Sequence, residues 1–263
     1  MDCLYVIAPV YNETENIPAL MRNWARLSAC LADSRITFVL VDDGSTDGTV
    51  ETIATEKQNL DVLVLRHDEN RGPGYAFGTA FAHLAGDLKP DDILVTMEGD
   101  NTSRIATLLR MLERCRREDL DFVLASPYAY GGGFMRISLW RRFLSHGANG
   151  TLRGIIGMHG IHTMSSFFRV CRGRAIQSLQ ANYDNRIIES AGFEGMVEML
   201  KKIMILGLSV SEVPMLLNSQ ARVGKSKMKI LRTIFGYLKL CVVMKRWKRA
   251  PVAAPMPDAE VGG

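Results

Sequence analysis

Short apolar runs alternate, through the first half of the chain, with longer segments whose apolar residues recur every three or four positions. Runs at residues 4–8, 36–41, 62–65, 93–97 and 121–125 are too short for helices and rich in apolar and β-branched residues. They predict strands buried on both faces. Between them, Ile17, Leu20, Met21, Trp24 and Leu27 fall on one helical face, with Asn12 or Thr14 placed to cap it. Further helices are expected at residues 50–57, from the Asn70-Arg71-Gly72-Pro73-Gly74 turn to about residue 84, and at 104–116. Strands and helices alternating at this rhythm predict right-handed βαβ units and an α/β fold with a mostly parallel sheet flanked by helices. The texture changes after residue 126. A glycine-rich connector leads to a basic helix with Arg136, Arg141, Arg142, His146 and Asn149. A strand at 164–170, placed antiparallel at the sheet edge, precedes a helix at 192–204 and a last strand at 208–213.

The chemistry gathers where the predicted strands end. Residues 93–97 run into Glu98-Gly99-Asp100, and residues 36–41 into Asp42-Asp43-Gly44-Ser45. Two carboxylates that close repel unless a cation lies between them, and hard oxygen ligands suit Mg²⁺ or Mn²⁺ carrying phosphates. Each turn alone is equally well read as an ordinary acidic cap, with Ser103 as the N-cap of the next helix. The Asn70–Gly74 turn is a third, placing a helix N-terminus where an anion could bind. Three such turns at carboxyl ends of one parallel sheet favour a ligand site, because open α/β sheets bind ligands at that edge.

The remaining composition narrows the picture. A chain of 263 residues with 47% hydrophobic and 23% charged residues can build one substantial core. Its five cysteines are scattered without a CxxC pair, so neither a disulfide framework nor a zinc site is signalled, and a cytoplasmic setting is expected. The amino terminus lacks a secretory pattern, and no apolar run approaches the roughly 20 residues of a membrane span. His146, His159 and His162 lack metal-site spacing, and His67 and His83 add nothing. From Lys225 to Arg249 nine basic residues and no acid are interleaved with Met228, Leu231, Ile234, Phe235, Leu238, Cys241 and Val242. Such a basic amphipathic helix fits the surface of an anionic membrane, and equally a terminal helix packed on the sheet. Nucleic-acid binding is not expected, since no recognition fold accompanies the basic stretch. The Ala/Pro/Gly-rich residues 251–263 are expected to form a disordered tail.

The motifs occur in an order that resembles the family 2 glycosyltransferases, in the branch of dolichol-phosphate mannose synthase and its bacterial polyprenyl-phosphate relatives. They are Pro9-Val10-Tyr11-Asn12-Glu13, Val41-Asp42-Asp43-Gly44-Ser45, Asn70-Arg71-Gly72, Leu144-Ser145-His146-Gly147-Ala148-Asn149, Phe168-Arg169, Glu212-Val213-Pro214 and Gly224-Lys225-Ser226-Lys227. The resemblance implies a GT-A type fold with a catalytic domain over residues 1–224, divided into a nucleotide-binding half (1–126) and an acceptor half (127–224). The basic helix would follow at 225–250. Pro9, Tyr11, Glu13, Val41 and Asp43 would cradle the nucleoside of a GDP- or UDP-hexose donor. Glu98, Gly99 and Asp100 would stand at the metal and diphosphate, with Thr102 near a Mg²⁺ or Mn²⁺ ion and Arg222 and Lys227 closing over the diphosphate. Arg141 and Arg169 would hold a lipid phosphate acceptor at the inner face of the membrane. Glu98 replaces the first Asp of the family's DxD, Pro127 an Arg, Thr163 an Asp, and Ala221 the Arg of the closing signature. Two rivals follow: transfer to a hydroxyl, with Glu194 or Glu198 as base, and a nucleotide-sugar-binding subunit without catalysis.

Overall fold

The structure, a computed structural model, describes residues 3–135, 160–184, 186–218 and 230–244 together with Gly154, Gly157, Met158 and Trp247. Strands β1 (Cys3–Val10), β2 (Arg35–Asp42), β3 (Val62–Arg66) and β4 (Ile93–Thr96) alternate with helices α1 (Ile17–Cys30), α2 (Thr49–Glu56) and α3 (Pro73–Leu84). Helix α4 (Ile105–Arg117), β5 (Phe122–Ser126) and the short β6 (Gly133–Met135) follow. Then come β7 (Arg169–Arg172), α5 (Gly173–Tyr183), α6 (Glu194–Ile205), β8 (Val210–Pro214), β9 (Leu216–Asn218) and α7 (Ile230–Val243).

Seven strands form one sheet in the order β3-β2-β1-β4-β7-β5-β8, and β6 pairs with β9 in a second, two-stranded sheet. All neighbours in the large sheet are parallel except β7, which runs antiparallel to both β4 and β5. Strands β7 and β8, from the later part of the chain, therefore complete the sheet begun by β1 to β5. Alternation along each strand sends side chains to opposite faces. Leu4, Val6 and Ala8 join Phe38 and Leu40 against α1 and α4, whereas Ile7 joins Val39 and Val41 against α3, α5 and α6. On the first face the Trp24 and Phe38 rings stack at 4.5 Å.

Two expectations are corrected. The strand expected at 164–170 on the sheet edge is β7, Arg169–Arg172, in the interior of the sheet with all four residues buried. The arginines at both of its ends hide a central strand from a hydrophobicity reading. Arg169 meets backbone carbonyls inside the protein, and Arg172, at the far end of the strand, meets the exposed carboxylates of Asp91 and Asp119. Asn12 and Thr14 do not cap α1, which starts at Ile17 with no side-chain cap. They stitch two loops together instead.

Helix α7 packs on α6 and buries Leu240, with Tyr237, Cys241 and Met244 against the core. The Glu194 carboxylate lies against Gly236, where a Cβ would stand 2.5 Å from its carboxyl carbon and would displace it. The opposite face carries Phe235, Leu238 and Val242, 70%, 58% and 65% exposed. No helix among the described residues is long and apolar enough to cross a membrane.

Candidate active site

Because β2, β1 and β4 are adjacent and parallel, their carboxyl ends deliver three loops to one edge of the sheet. The loops after β1 and β2 are cross-tied. The Asn12 amide donates to Ser45 Oγ (2.8 Å), the Thr46 amide to Asn12 Oδ1 (2.9 Å), the Glu13 amide to Thr49 Oγ1 (2.9 Å) and Thr14 Oγ1 to the Asp47 carbonyl (2.9 Å). Asn12 takes a left-handed conformation, φ 52°, within this knot. Burial pushes the Asp47 carboxyl up, but hydrogen bonds from Thr49 and from the Thr14 amide outweigh it and hold the group below the usual aspartate range. The ionised carboxylate accepts Thr49 Oγ1 at 2.5 Å and the Thr49 amide at 3.1 Å, and so fixes the start of α2.

The loop after β4 is tied to the same place. Gly99 lies so close to the end of β1 that a Cβ would stand 2.8 Å from both the Pro9 carbonyl oxygen and Val10 Cγ1. Asp100 Oδ1 accepts Thr102 Oγ1 at 2.6 Å and the Thr102 amide at 3.2 Å. Glu98 accepts the Ser103 hydroxyl, so Ser103 orients this carboxylate, and α4 starts from Arg104 without a side-chain cap. Asn101, at φ 64°, accepts from Asn23 and donates to the Asn16 carbonyl, which anchors the loop on α1. Two oxygen-bearing carboxylates fit Mg²⁺ or Mn²⁺, which take one or two carboxylates and complete their shell with water and substrate phosphate. No cluster of three or more His, Cys, Asp or Glu side chains suited to a metal occurs among the described residues.

Asp43, in the loop after β2, is buried and heavily engaged. Its carboxylate accepts His67 Nδ1 at 2.7 Å and the Arg71 amide at 3.0 Å on Oδ1, and the Gly72 amide at 2.8 Å on Oδ2. It thus pins the Asn70–Gly74 turn beside its own loop. Gly44, at φ 75°, makes the same junction possible, since a Cβ there would stand 2.6 Å from the Glu69 carbonyl carbon. His67 is the residue that sequence reasoning passed over. A single histidine after a strand carries no spacing signal, and only the fold brings it to Asp43.

The structure brings Pro9, Tyr11, Glu13, Val41, Asp43, Glu98, Gly99, Asp100 and Thr102 to this one edge. Arg141, Arg222 and Lys227 lie outside the described residues. Arg169 is corrected. It is fully buried, and its guanidinium donates to the carbonyls of Ser166 (2.6 Å), Met196 (2.7 Å) and Met164 (2.8 Å). Burial pushes its pKa down to about 10, which leaves it charged near neutral pH as an internal brace rather than a phosphate ligand. Glu198 is corrected likewise. It is fully buried and paired with Lys202 at 2.6 Å, so it does not serve as an acceptor-side base. Glu194 accepts the Gly192 amide and lies against Gly236 of α7. Of the departures, Thr163 joins its Oγ1 to Ser126 Oγ at 2.6 Å, one residue before Pro127.

Polyprenol monophosphomannose synthase of Mycolicibacterium smegmatis is 30% identical over 227 residues, covering 85% of this chain and 80% of that protein. Dolichol-phosphate mannosyltransferase of Pyrococcus furiosus is 28% identical over 247 residues, 92% of this chain, and the match spans 64% of that longer relative. Among solved structures, glucosyl-3-phosphoglycerate synthase from Mycobacterium tuberculosis, in complex with Mn²⁺, uridine diphosphate and glucosyl-3-phosphoglycerate, shares the fold. Its TM-score is 0.61 at 14% identity, over 93% of this chain and 80% of that one. The Glycosyl transferase family 2 model matches residues 5–179, the span that supplies every loop of the acidic edge, and the chain belongs to that family.

Proposed function

We propose that the chain transfers a hexose, with inversion, from a GDP- or UDP-hexose to a polyprenyl phosphate at a membrane surface. The observation that carries this reading is the meeting of Glu98 and Asp100 with the β1 and β2 loops at one sheet edge. The names of the relatives support the lipid phosphate as acceptor.

A divalent ion bound there would neutralise the departing diphosphate and act as a Lewis acid. The protein's own part is positional. Asp100, held by Thr102, and Glu98, held by Ser103, present fixed carboxylates beneath the diphosphate. Pro9, Tyr11, Glu13, Val41 and Asp43 receive the nucleoside, and Arg222 and Lys227 cover the diphosphate. The anomeric carbon passes through an oxocarbenium-like state while the acceptor attacks the opposite face. A lipid phosphate needs no general base, since its second ionisation lies at about 6. Arg141 is the remaining candidate to hold that phosphate by charge-assisted hydrogen bonds.

A panel of nucleotide sugars, scored with Mn²⁺ for transfer to a polyprenyl phosphate, tests the reading. Transfer from one GDP- or UDP-hexose is the expected result. Tight nucleotide binding without transfer or donor hydrolysis would instead establish a non-catalytic subunit.

The outer face of α7 supplies the membrane contact. Phe235, Leu238 and Val242 follow the i, i+3, i+7 spacing of one face, and the chain around them is basic throughout. Replacing all three with Ser is expected to weaken binding to vesicles of anionic lipid by about tenfold or more, because their apolar surface would no longer leave water. Vesicle sedimentation reads the change. Equal binding by parent and triple variant would remove α7 from the contact.

A further inference from the structure

His67 follows β3, and its amide continues the ladder by donating to the Asp42 carbonyl at 2.9 Å. Its ring is buried, and both nitrogens are engaged. Nδ1 meets Asp43 Oδ1 at 2.7 Å, and Nε2 meets Thr79 Oγ1 of α3 at 2.9 Å. An ionised carboxylate only accepts hydrogen bonds. The network therefore assigns the proton of a neutral ring to Nδ1, and leaves Nε2 to accept from the Thr79 hydroxyl. Asp43 thus selects the tautomer, and the Thr79 hydroxyl, able to donate or accept, anchors the far side of the ring.

Asp43 has two further donors, the Arg71 and Gly72 amides at the entrance to α3. Three donors from two directions fix the plane of its carboxylate. Without His67 the two amides would still hold one oxygen each, but Oδ1 would lose the shorter of its two hydrogen bonds, and the carboxylate would be held from the turn side alone. A group meant to receive a nucleoside must be held within a fraction of an ångström, which is the task of the side chains behind it.

We infer that His67, with its proton held on Nδ1 by Asp43 and its ring anchored by Thr79, is a positioning residue for the nucleoside side of the donor site, acting through Asp43. The inference rests on the glycosyltransferase reading and on Asp43 facing the nucleoside. His67 touches no reacting atom in this scheme, so its loss appears in donor affinity and KM and leaves kcat nearly unchanged.

The choice of substitution separates positioning from mere packing. Asn carries its amide nitrogen where Nδ1 stands and can still donate to Asp43, whereas Leu fills much of the space and donates nothing. Both lose the bond to Thr79. The experiment uses the full chain with Mn²⁺, and measures GDP and UDP affinity by calorimetry, donor KM and kcat, and the unfolding midpoint. His67→Leu is expected to weaken binding of the preferred nucleotide about tenfold, the scale of one lost hydrogen bond to a charged group. His67→Asn is expected to stay within about threefold of the parent, while kcat in both stays within about twofold. Equal weakening by Asn and Leu, or parent affinity in the Leu variant, overturns the inference.

Thr79→Val covers the case in which His67→Leu does not fold, because it keeps the ring and the shape of the helix surface. It should weaken the nucleotide by about threefold with the midpoint little changed, and parent affinity in this variant overturns the part given to Thr79 in anchoring the ring. A parent protein that binds neither GDP nor UDP overturns the donor reading itself, and this inference with it. Parent binding that survives every substitution overturns this inference alone.

Discussion

Asp100→Asn is expected to reduce sugar transfer at least about 100-fold, equivalent to about 2.7 kcal/mol of transition-state stabilisation. The substitution is chosen to preserve shape. Asn can still accept from Thr102 Oγ1 and the Thr102 amide through its carbonyl oxygen, so the turn that follows β4 keeps its two anchors. Gly99 stays pressed on the Pro9 carbonyl, and Asn101 stays tied to Asn16 and Asn23. Only the charge is removed. On the proposed reading Glu98 alone would then face the diphosphate, and a single carboxylate on a longer stem defines the position of a cation less well than two. Steady-state transfer, read beside nucleotide affinity and the unfolding midpoint, checks the expectation. A variant that transfers sugar as fast as the parent would show that the acidic edge does not carry the chemistry.

Much of this edge was legible before the fold was known, for a reason visible in particular residues. The runs that became β1, β2 and β4 are apolar on both faces, so their positions follow from hydrophobicity alone. The turns after β2 and β4 carry Gly44 and Gly99, whereas β1 runs on through Pro9 to Val10, and the acids take their meaning from three such turns falling at one edge. β7 was misplaced because its arginines read as solvent-facing, whereas Arg169 spends its guanidinium on three carbonyls inside the protein. Glu198 misled for the same reason: a charge at helical spacing looks exposed until its partner four residues on is found buried beside it. His67 was invisible because its role comes from two contacts, with residues 24 and 12 positions away, that only the β2–β3–α3 packing creates. The tail was left open between packing and membrane. Helix α7 shows an apolar face on each side, one against α6 and one toward solvent.

The largest effect on stability is expected from Lys202→Met, which should lower it by about 3–5 kcal/mol by stranding the buried Glu198 carboxylate. Lys202 Nζ is fully enclosed. It donates to Glu198 Oε1 at 2.6 Å and to the Arg186 carbonyl at 2.6 Å, and lies 4.9 Å from the centres of both the Tyr183 and Trp247 rings. Met matches the stem in length and hydrophobicity, so the loss is electrostatic rather than a cavity. Adding Glu198→Gln to Lys202→Met should restore about 2 kcal/mol, since a neutral amide can still accept from a backbone donor without an unpaired charge. Denaturant unfolding of the two variants and of the single Glu198→Gln form checks this coupling. Strictly additive losses would contradict it. The pair also reaches the entrance to α3, beside the proposed donor site. Glu198 accepts the Glu189 and Ser190 amides at 3.0 and 2.9 Å, and the next residue, Ala191, accepts the Gly74 amide at 2.8 Å. Gly72 and Gly74 can lie against the Ser190–Ala191 backbone only because they lack side chains. Loosening Glu198 therefore loosens the wall on which the entrance to α3 rests. Lys202→Met should raise donor KM several degrees below its unfolding midpoint, whereas a lesion confined to the core of α6 would leave KM at its parent value until the protein unfolds.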